Sequence, residues 1–186
     1  LAVYRGRYIL QGLDDIPPQM EADLDLAYGI CETLRTESPC SLCGRCCSQP
    51  FITIRDEEVD TVAAAAGIEI YDFVLSYLER TDDGRWLFTR TEPCAFLGPD
   101  NTCRIWGGRP EICHEFPYLV SKFMSRVYLA IVNPDHDILP DLVYMDEIWP
   151  CTSVIKGRVP GMIEEARRRR AEAQALPARC LLNTST

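Results

Sequence analysis

Eight consecutive residues, Cys40-Ser41-Leu42-Cys43-Gly44-Arg45-Cys46-Cys47, hold four cysteines, two of them adjacent. No hydrophobic core needs thiols at that density, so this run limits the possible folds more than any other segment. A bridge between Cys46 and Cys47 would close a strained eight-membered ring, and one between Cys40 and Cys43 would be a redox element rather than a staple. A thioredoxin-like dithiol needs one CxxC after a strand and at the start of a helix. Here two CxxC units overlap, and the preceding segment reads as helix. A soft metal fits better. Two intervening residues let the chain wrap so that both sulfurs, with backbone N–H donors, face one ion or cluster. Cys40, Cys43 and Cys46 form the Cx2Cx2C run that ferredoxin-type loops use around an iron–sulfur cluster, with a fourth ligand from elsewhere. Gly44 permits the close backbone approach this needs. Structural zinc prefers two CxxC knuckles separated by a longer stretch, so the continuous triplet favours iron–sulfur and leaves zinc as the alternative.

The ten cysteines divide into a set of eight and two outliers. The eight are Cys40, Cys43, Cys46, Cys47, Cys94, Cys103, Cys113 and Cys151, each in a loop, hairpin arm or helix entrance beside Gly or Pro. Cys31 sits on an apolar stripe and reads as core, and Cys180 lies in the tail after Pro177. Eight thiolates are twice what one tetrahedral ion or one cubane takes. A natural division sends Cys40, Cys43 and Cys46 to one centre and Cys47 toward a second, with the other four filling both. A single centre supported by buried cysteines is the alternative. His114, next to Cys113, is a candidate nitrogen ligand or hydrogen-bond donor. His136, in "NPDHD", reads as an exposed loop residue without the spacing of an EF-hand loop.

At 186 residues the chain can build one domain with a real core. A formal net charge of -9 argues against an electrostatic nucleic-acid binder. No apolar run approaches the about 18 residues that span a bilayer, and "LAVYRGRYILQGLDD" lacks the apolar stretch and cleavage site of a signal peptide. The expectation is a cytoplasmic protein that binds neither nucleic acid nor membrane. Thiols stay reduced in that compartment, which again places metal binding or catalysis before disulfides. No GxSxG elbow, GxxxxGK cradle, HExxH or GxGxxG after a strand is present.

Met20, Leu24, Ala27, Cys31 and Leu34 recur at helical spacing over residues 19–36, between Pro17-Pro18 and Pro39. "FITI", Phe51 to Ile54, reads as a strand. Asp56 reads as the cap of a helix bearing Val59, Val62, Ala63 and Ala66 and stopped by Gly67. A second helix presents Ile70, Phe73, Val74, Tyr77 and Leu78. Asp83-Gly84 marks a hairpin, and Cys94 to Trp106 a second one turning at Gly98-Pro99-Asp100-Asn101. Pro110 sits where a helix begins, and "FMSRVYLAIV" from Phe123 reads as a strand. In the last helix Glu164/Arg168 and Glu165/Arg169 are spaced as ion pairs on a solvated face. The expected fold is α+β: a small single domain over 1–186, of helices and short strands or hairpins organised around cysteine-rich metal-binding loops. Its motif core spans 38–151, and a C-terminal helix opened by Pro160 runs over about 160–176.

In order along the chain, "CSLCGRCC" (Cys40 to Cys47), "CAFLGPDNTCRIWGGRPEICHEFP" (Cys94 to Pro117) and "WPC" (Trp149 to Cys151) resemble the CxxCxxCC or YkgJ family, whose members are described as zinc- or iron-chelating. The resemblance covers residues 38 to 151, and the ordered combination of motifs is specific. It implies that Cys40, Cys43, Cys46, Cys47, Cys94, Cys103 and Cys113, with Cys151 as the late one, are the ligands, and it matches Arg109-Pro110 and Phe116-Pro117. His114 departs from it, because the family more often shows Arg there; the change affects either the ligand set or only a surface contact. Flagellin lysine N-methylases carry a similar cluster, for which an iron–sulfur centre has been proposed, but they are longer, and no separate methyl-donor domain is found here. The leading expectation is an iron–sulfur protein with one or two clusters of the 4Fe-4S type, acting in electron transfer or as accessory subunit of a larger redox complex, and hence with a protein partner. The alternatives are a structural zinc module for protein–protein contact and a cluster-dependent protein lysine methyltransferase.

Overall fold

Prolines and the spacing of apolar residues place most of the elements. The computed structural model describes residues 2–4, 7–10, 16–37, 40–48, 52–82, 84–89, 92–119 and 121–175. Ser38, Pro39, Phe51, Asp83, Pro177 and Cys180, which carried expectations above, lie outside these residues. An antiparallel pair, β1 (Ala2–Tyr4) and β2 (Arg7–Leu10), precedes the long helix α1 (Pro18–Glu37). Helix α1 buries Leu24, Ala27, Ile30, Cys31 and Leu34, the stripe its spacing predicts with Ile30 added. Burial holds the Cys31 thiol protonated, far above the usual thiol range, as befits a core residue.

After the cysteine loop come β3 (Thr53–Ile54), α2 (Val59–Ala66), α3 (Ile70–Tyr77), β4 (Leu78–Arg80) and β5 (Trp86–Phe88). The sheet is antiparallel in the order β3-β5-β4, with Ile54 opposite Trp86 and Leu78 opposite Phe88. Helix α2 stops at Gly67, whose φ of 67° is the left-handed conformation glycine adopts cheaply. Asp56 does not cap it. Instead Asp56 starts a 3-10 turn, where its carboxylate accepts from Trp86 Nε1 at 2.7 Å and pairs with Arg80. Glu58 takes over at the helix start, accepting the Arg55 N–H at 2.9 Å. Leu78 opens β4 rather than closing α3, and Ile70 is exposed.

Cys94 to Trp106 forms the expected hairpin, with Leu97 bridged to Cys103 and the Gly98 N–H donating to the Thr102 carbonyl at 2.7 Å. Helix α4 (Glu111–Glu115) follows Pro110. The segment read as a strand is a helix, α5 (Ser121–Val132). Its β-rich composition misleads; the buried residues Phe123, Met124, Val127, Ala130 and Ile131 repeat with helical spacing and leave Leu129 outward. Helix α6 (Leu139–Ile148) had no expectation attached to it. A 3-10 turn over Pro150–Ile155 leads to α7 (Val159–Ala175), with Pro160 in its first turn.

Two hydrophobic clusters result. One is helical and joins α1, α5, α6 and α7 through residues such as Leu24, Phe123, Leu142 and Ile163. The other joins the sheet to α2, α3 and the 94–106 hairpin, around the stacked rings of Phe73, Tyr77, Phe88 and Phe96. The arginine run of α7 is only partly a solvated face. Glu165 pairs with Arg169 as the spacing predicts, but Glu164 pairs with Arg167 instead of Arg168. Arg167 also donates to the Ala130 carbonyl, and Arg170 Nε meets the buried Asp23 at 2.8 Å. Helices α1 and α7 are therefore joined by an ion pair whose carboxylate is buried and whose guanidinium is partly exposed, as well as by apolar contact.

Candidate metal centre

The cysteine loop owes its shape to two residues in the left-handed region, Leu42 with φ 54° and Gly44 with φ 71°. They fold residues 40–48 back on themselves, and the Leu42 N–H donates to Cys40 Sγ at 3.4 Å. At Gly44 the backbone runs against Asn101 of the hairpin turn; a Cβ there would stand 2.8 Å from Asn101 Oδ1. The loop ends in a 3-10 turn that carries Cys46 and Cys47. The Cys94 N–H donates to the Cys47 carbonyl at 2.8 Å, which ties the loop to the hairpin.

All eight candidate cysteines line one cavity of about 240 Å³. Cys94, Cys103 and Cys113 pack against the sheet-side cluster, and Cys151 against the helical one, so the cavity lies where the two cores meet. Cys40 is exposed and the other seven are half-buried. None of the described cysteines is paired in a disulfide. The remaining walls are largely apolar side chains together with Arg35, Asn101, Arg109, His114 and Tyr118, and among the described residues no carboxylate lines the cavity. Soft sulfur without carboxylate is a donor set for zinc, iron or copper(I), not for magnesium or calcium.

Cys47 donates its thiol proton toward Cys46, so Cys46 ionises ahead of the usual range and Cys47 far behind it. Burial, followed by the neighbouring sulfurs, pushes Cys113 and Cys151 each up to about 12, and burial also raises Cys94. A metal must displace these protons to bind. The positive charge of Arg109 acts on both Cys46 and Cys113, and its guanidinium stacks on the Trp106 ring at 3.6 Å from the centroid. Its Nη2 lies 3.2 Å from His114 Nδ1. A guanidinium can only donate, so Nδ1 accepts and the imidazole proton sits on Nε2. Burial and the two arginines, Arg109 and Arg35, also push the His114 pKa down, which leaves a neutral ring engaged at Nδ1. His136 is half-buried, not exposed, and meets Asp141 at 3.1 Å outside the cavity lining.

Two buried donors on the cavity wall, Arg109 Nε and Trp149 Nε1, have no hydrogen-bond partner among the described residues. Such groups are normally satisfied, and metal-bound sulfur is an acceptor they fit. Among the described residues no three His, Cys, Asp or Glu side chains converge closely enough to hold a single ion. The room also exceeds several times the roughly 30 Å³ that one water occupies in liquid. The cavity therefore has room for an inorganic group larger than one ion, and the sulfurs would have to draw inward to hold a single ion. Arg35, Trp106 and Trp149 as wall residues were not read from the sequence. Trp149 lay inside the matched "WPC", but nothing in a sequence marks an indole as unpartnered.

A family model described as CxxCxxCC, "putative zinc- or iron-chelating domain", matches residues 39–131, half of the chain. No curated protein and no solved structure matches the chain.

Proposed function

The chain belongs to the CxxCxxCC family of zinc- or iron-chelating domains, and from that premise we propose that it is an iron–sulfur protein of the cytoplasm. Its role in this reading is one-electron transfer, or that of an accessory subunit in a larger redox assembly. The observation that carries the reading is the shared cavity, where eight cysteines line more room than one ion needs and no carboxylate among the described residues intrudes. Cys40, Cys43 and Cys46 would hold a cluster together with cysteines from the later segments. When bound, an iron–sulfur cluster supplies reversible one-electron storage at a potential set by net charge, hydrogen bonds to sulfur and solvent exposure. The chain controls each of these. Arg35 and Arg109 bring positive charge, Arg109 Nε and Trp149 Nε1 bring unspent N–H donors, and Ile54, Val62, Phe88 and Ile105 keep water from the sheet-side wall.

Anaerobic purification tests the reading. Expected are brown protein, iron with acid-labile sulfide, visible absorbance bleached by dithionite, and a paramagnetic signal on reduction. A colourless preparation with stoichiometric zinc and no iron overturns it. That outcome would establish the second reading, a structural zinc module, which is supported by the way the thiols pack on both cores. A metal at such a junction contributes folding energy directly.

A further inference from the structure

We propose that the eight thiols form two separate four-cysteine centres, one held by Cys40, Cys43, Cys46 and Cys151 and the other by Cys47, Cys94, Cys103 and Cys113. The proposal rests on the reading that this cavity chelates metal, and it assigns which sulfurs act together. A tetrahedral ion or a cubane takes four thiolates, so eight around one cavity exceed a single centre.

Packing divides the sulfurs. Cys151 is fixed to the helical cluster through the 3-10 turn after α6, where its carbonyl also accepts from the Tyr118 hydroxyl at 3.4 Å. Cys94, Cys103 and Cys113 are fixed to the sheet-side cluster. The loop contributes to both sides. Its backbone is tied to the hairpin at Cys47 itself, through the 2.8 Å bond from Cys94. The left-handed residues Leu42 and Gly44 turn the Cx2Cx2C segment within the loop, and Cys40, Cys43 and Cys46 are left to complete a set with Cys151.

Cys46 and Cys47, adjacent in the 3-10 turn that ends the loop, mark the boundary between the two sets. The unpartnered donors are an independent sign that the wall faces a ligand. Trp149 Nε1, 92% buried by its residue's 8% exposure, stands two residues before Cys151. Arg109 Nε, the other such donor, belongs to a residue that lines the same cavity.

Cadmium–proton correlation NMR on the full chain loaded with cadmium tests the assignment without any substitution. Two cadmium resonances are expected. One should correlate with the β-protons of Cys40, Cys43, Cys46 and Cys151, the other with those of Cys47, Cys94, Cys103 and Cys113. A single resonance, a cysteine correlated with both metals, a centre mixing the sets, or no bound cadmium would overturn the proposal. Stoichiometry of Cys151→Ser and Cys103→Ser provides a second measurement, in which each variant should keep one of two cadmium equivalents. Loss of both equivalents from either variant with unchanged circular dichroism also overturns it. Cadmium reports ligand sets whatever the native metal is. Two cadmium centres in a chain that never yields iron and sulfide would sink the iron–sulfur reading alone, and one iron–sulfur cluster on four cysteines with a single cadmium would do the reverse.

Discussion

At the scale of single residues the site depends on Gly44 and Arg109 as much as on its sulfurs. Gly44→Ala puts a side chain into a left-handed backbone and against Asn101, and should lower stability by about 1–2 kcal/mol, read as a lower denaturant midpoint. The same variant should give up metal to a competing chelator faster than wild type. Arg109→Ala removes a positive charge that acts on Cys46 and Cys113, and on the iron–sulfur reading the midpoint potential should fall, because the added negative charge of the reduced cluster loses its attraction to a cation. Arg109→Lys should recover part of that shift while losing the stack on Trp106. His114→Gln should leave metal stoichiometry unchanged, since the ring is already engaged by Arg109 at Nδ1. The sulfurs and Gly44 were legible because spacing alone announces a chelating loop. Trp106, Trp149 and Arg35 were not, because side chains that meet only across tertiary contacts leave no periodic trace.

At the scale of elements, helices whose ends carry Pro or Gly were legible to within a residue or two, as α1 and α7 show. Helix α5 was not, because Val, Tyr and Ile give it the composition of a strand while its burial follows a helical repeat. Met124→Ala on its inner face should cost about 2–5 kcal/mol, whereas Leu129→Lys on its outer face should be nearly neutral; paired urea melts distinguish a helix from a strand in which both would matter. The α1–α7 junction carries a second test. Asp23→Ala strands Arg170 beside the helical core and should cost about 2 kcal/mol, and adding Arg170→Met should recover most of it. At Gly108 a Cβ would overlap that of Ala65 and stand 3.1 Å from the Thr61 carbonyl, so Gly108→Ala should push the turn before Arg109 off α2.

At the scale of the molecule, the α+β class and the cysteine-centred plan were legible, and the division into two cores was not. The sequence places sulfurs along a line, and only the packing shows that the cavity is the joint between a helical half and a sheet half. Stripping the metal should therefore lower the melting temperature and broaden the transition as the halves lose their common support. Alkali should add to this in the metal-free protein. The folded-state pKa values of Cys113 and Cys151, about 12, lie above the ordinary value of about 9, so the unfolded chain releases those protons first. Stability then falls as pH rises from about 9 toward 12, and the metal-loaded protein, already deprotonated at these sulfurs, should not show that slope. Melting curves of both forms across that range check the sign. No helix among the described residues is long and apolar enough to cross a membrane.

The distance along the chain from Cys40 to Cys151 has a consequence for biosynthesis. Cys151 leaves the ribosome 111 residues after Cys40. Until then Cys40, Cys43 and Cys46 are three nucleophiles in search of the fourth that the proposed partition gives them, open to whatever oxidant or stray ion arrives first. Filling of that centre thus has to wait for Cys151, and any message truncated between the loop and Cys151 yields a product that cannot complete it.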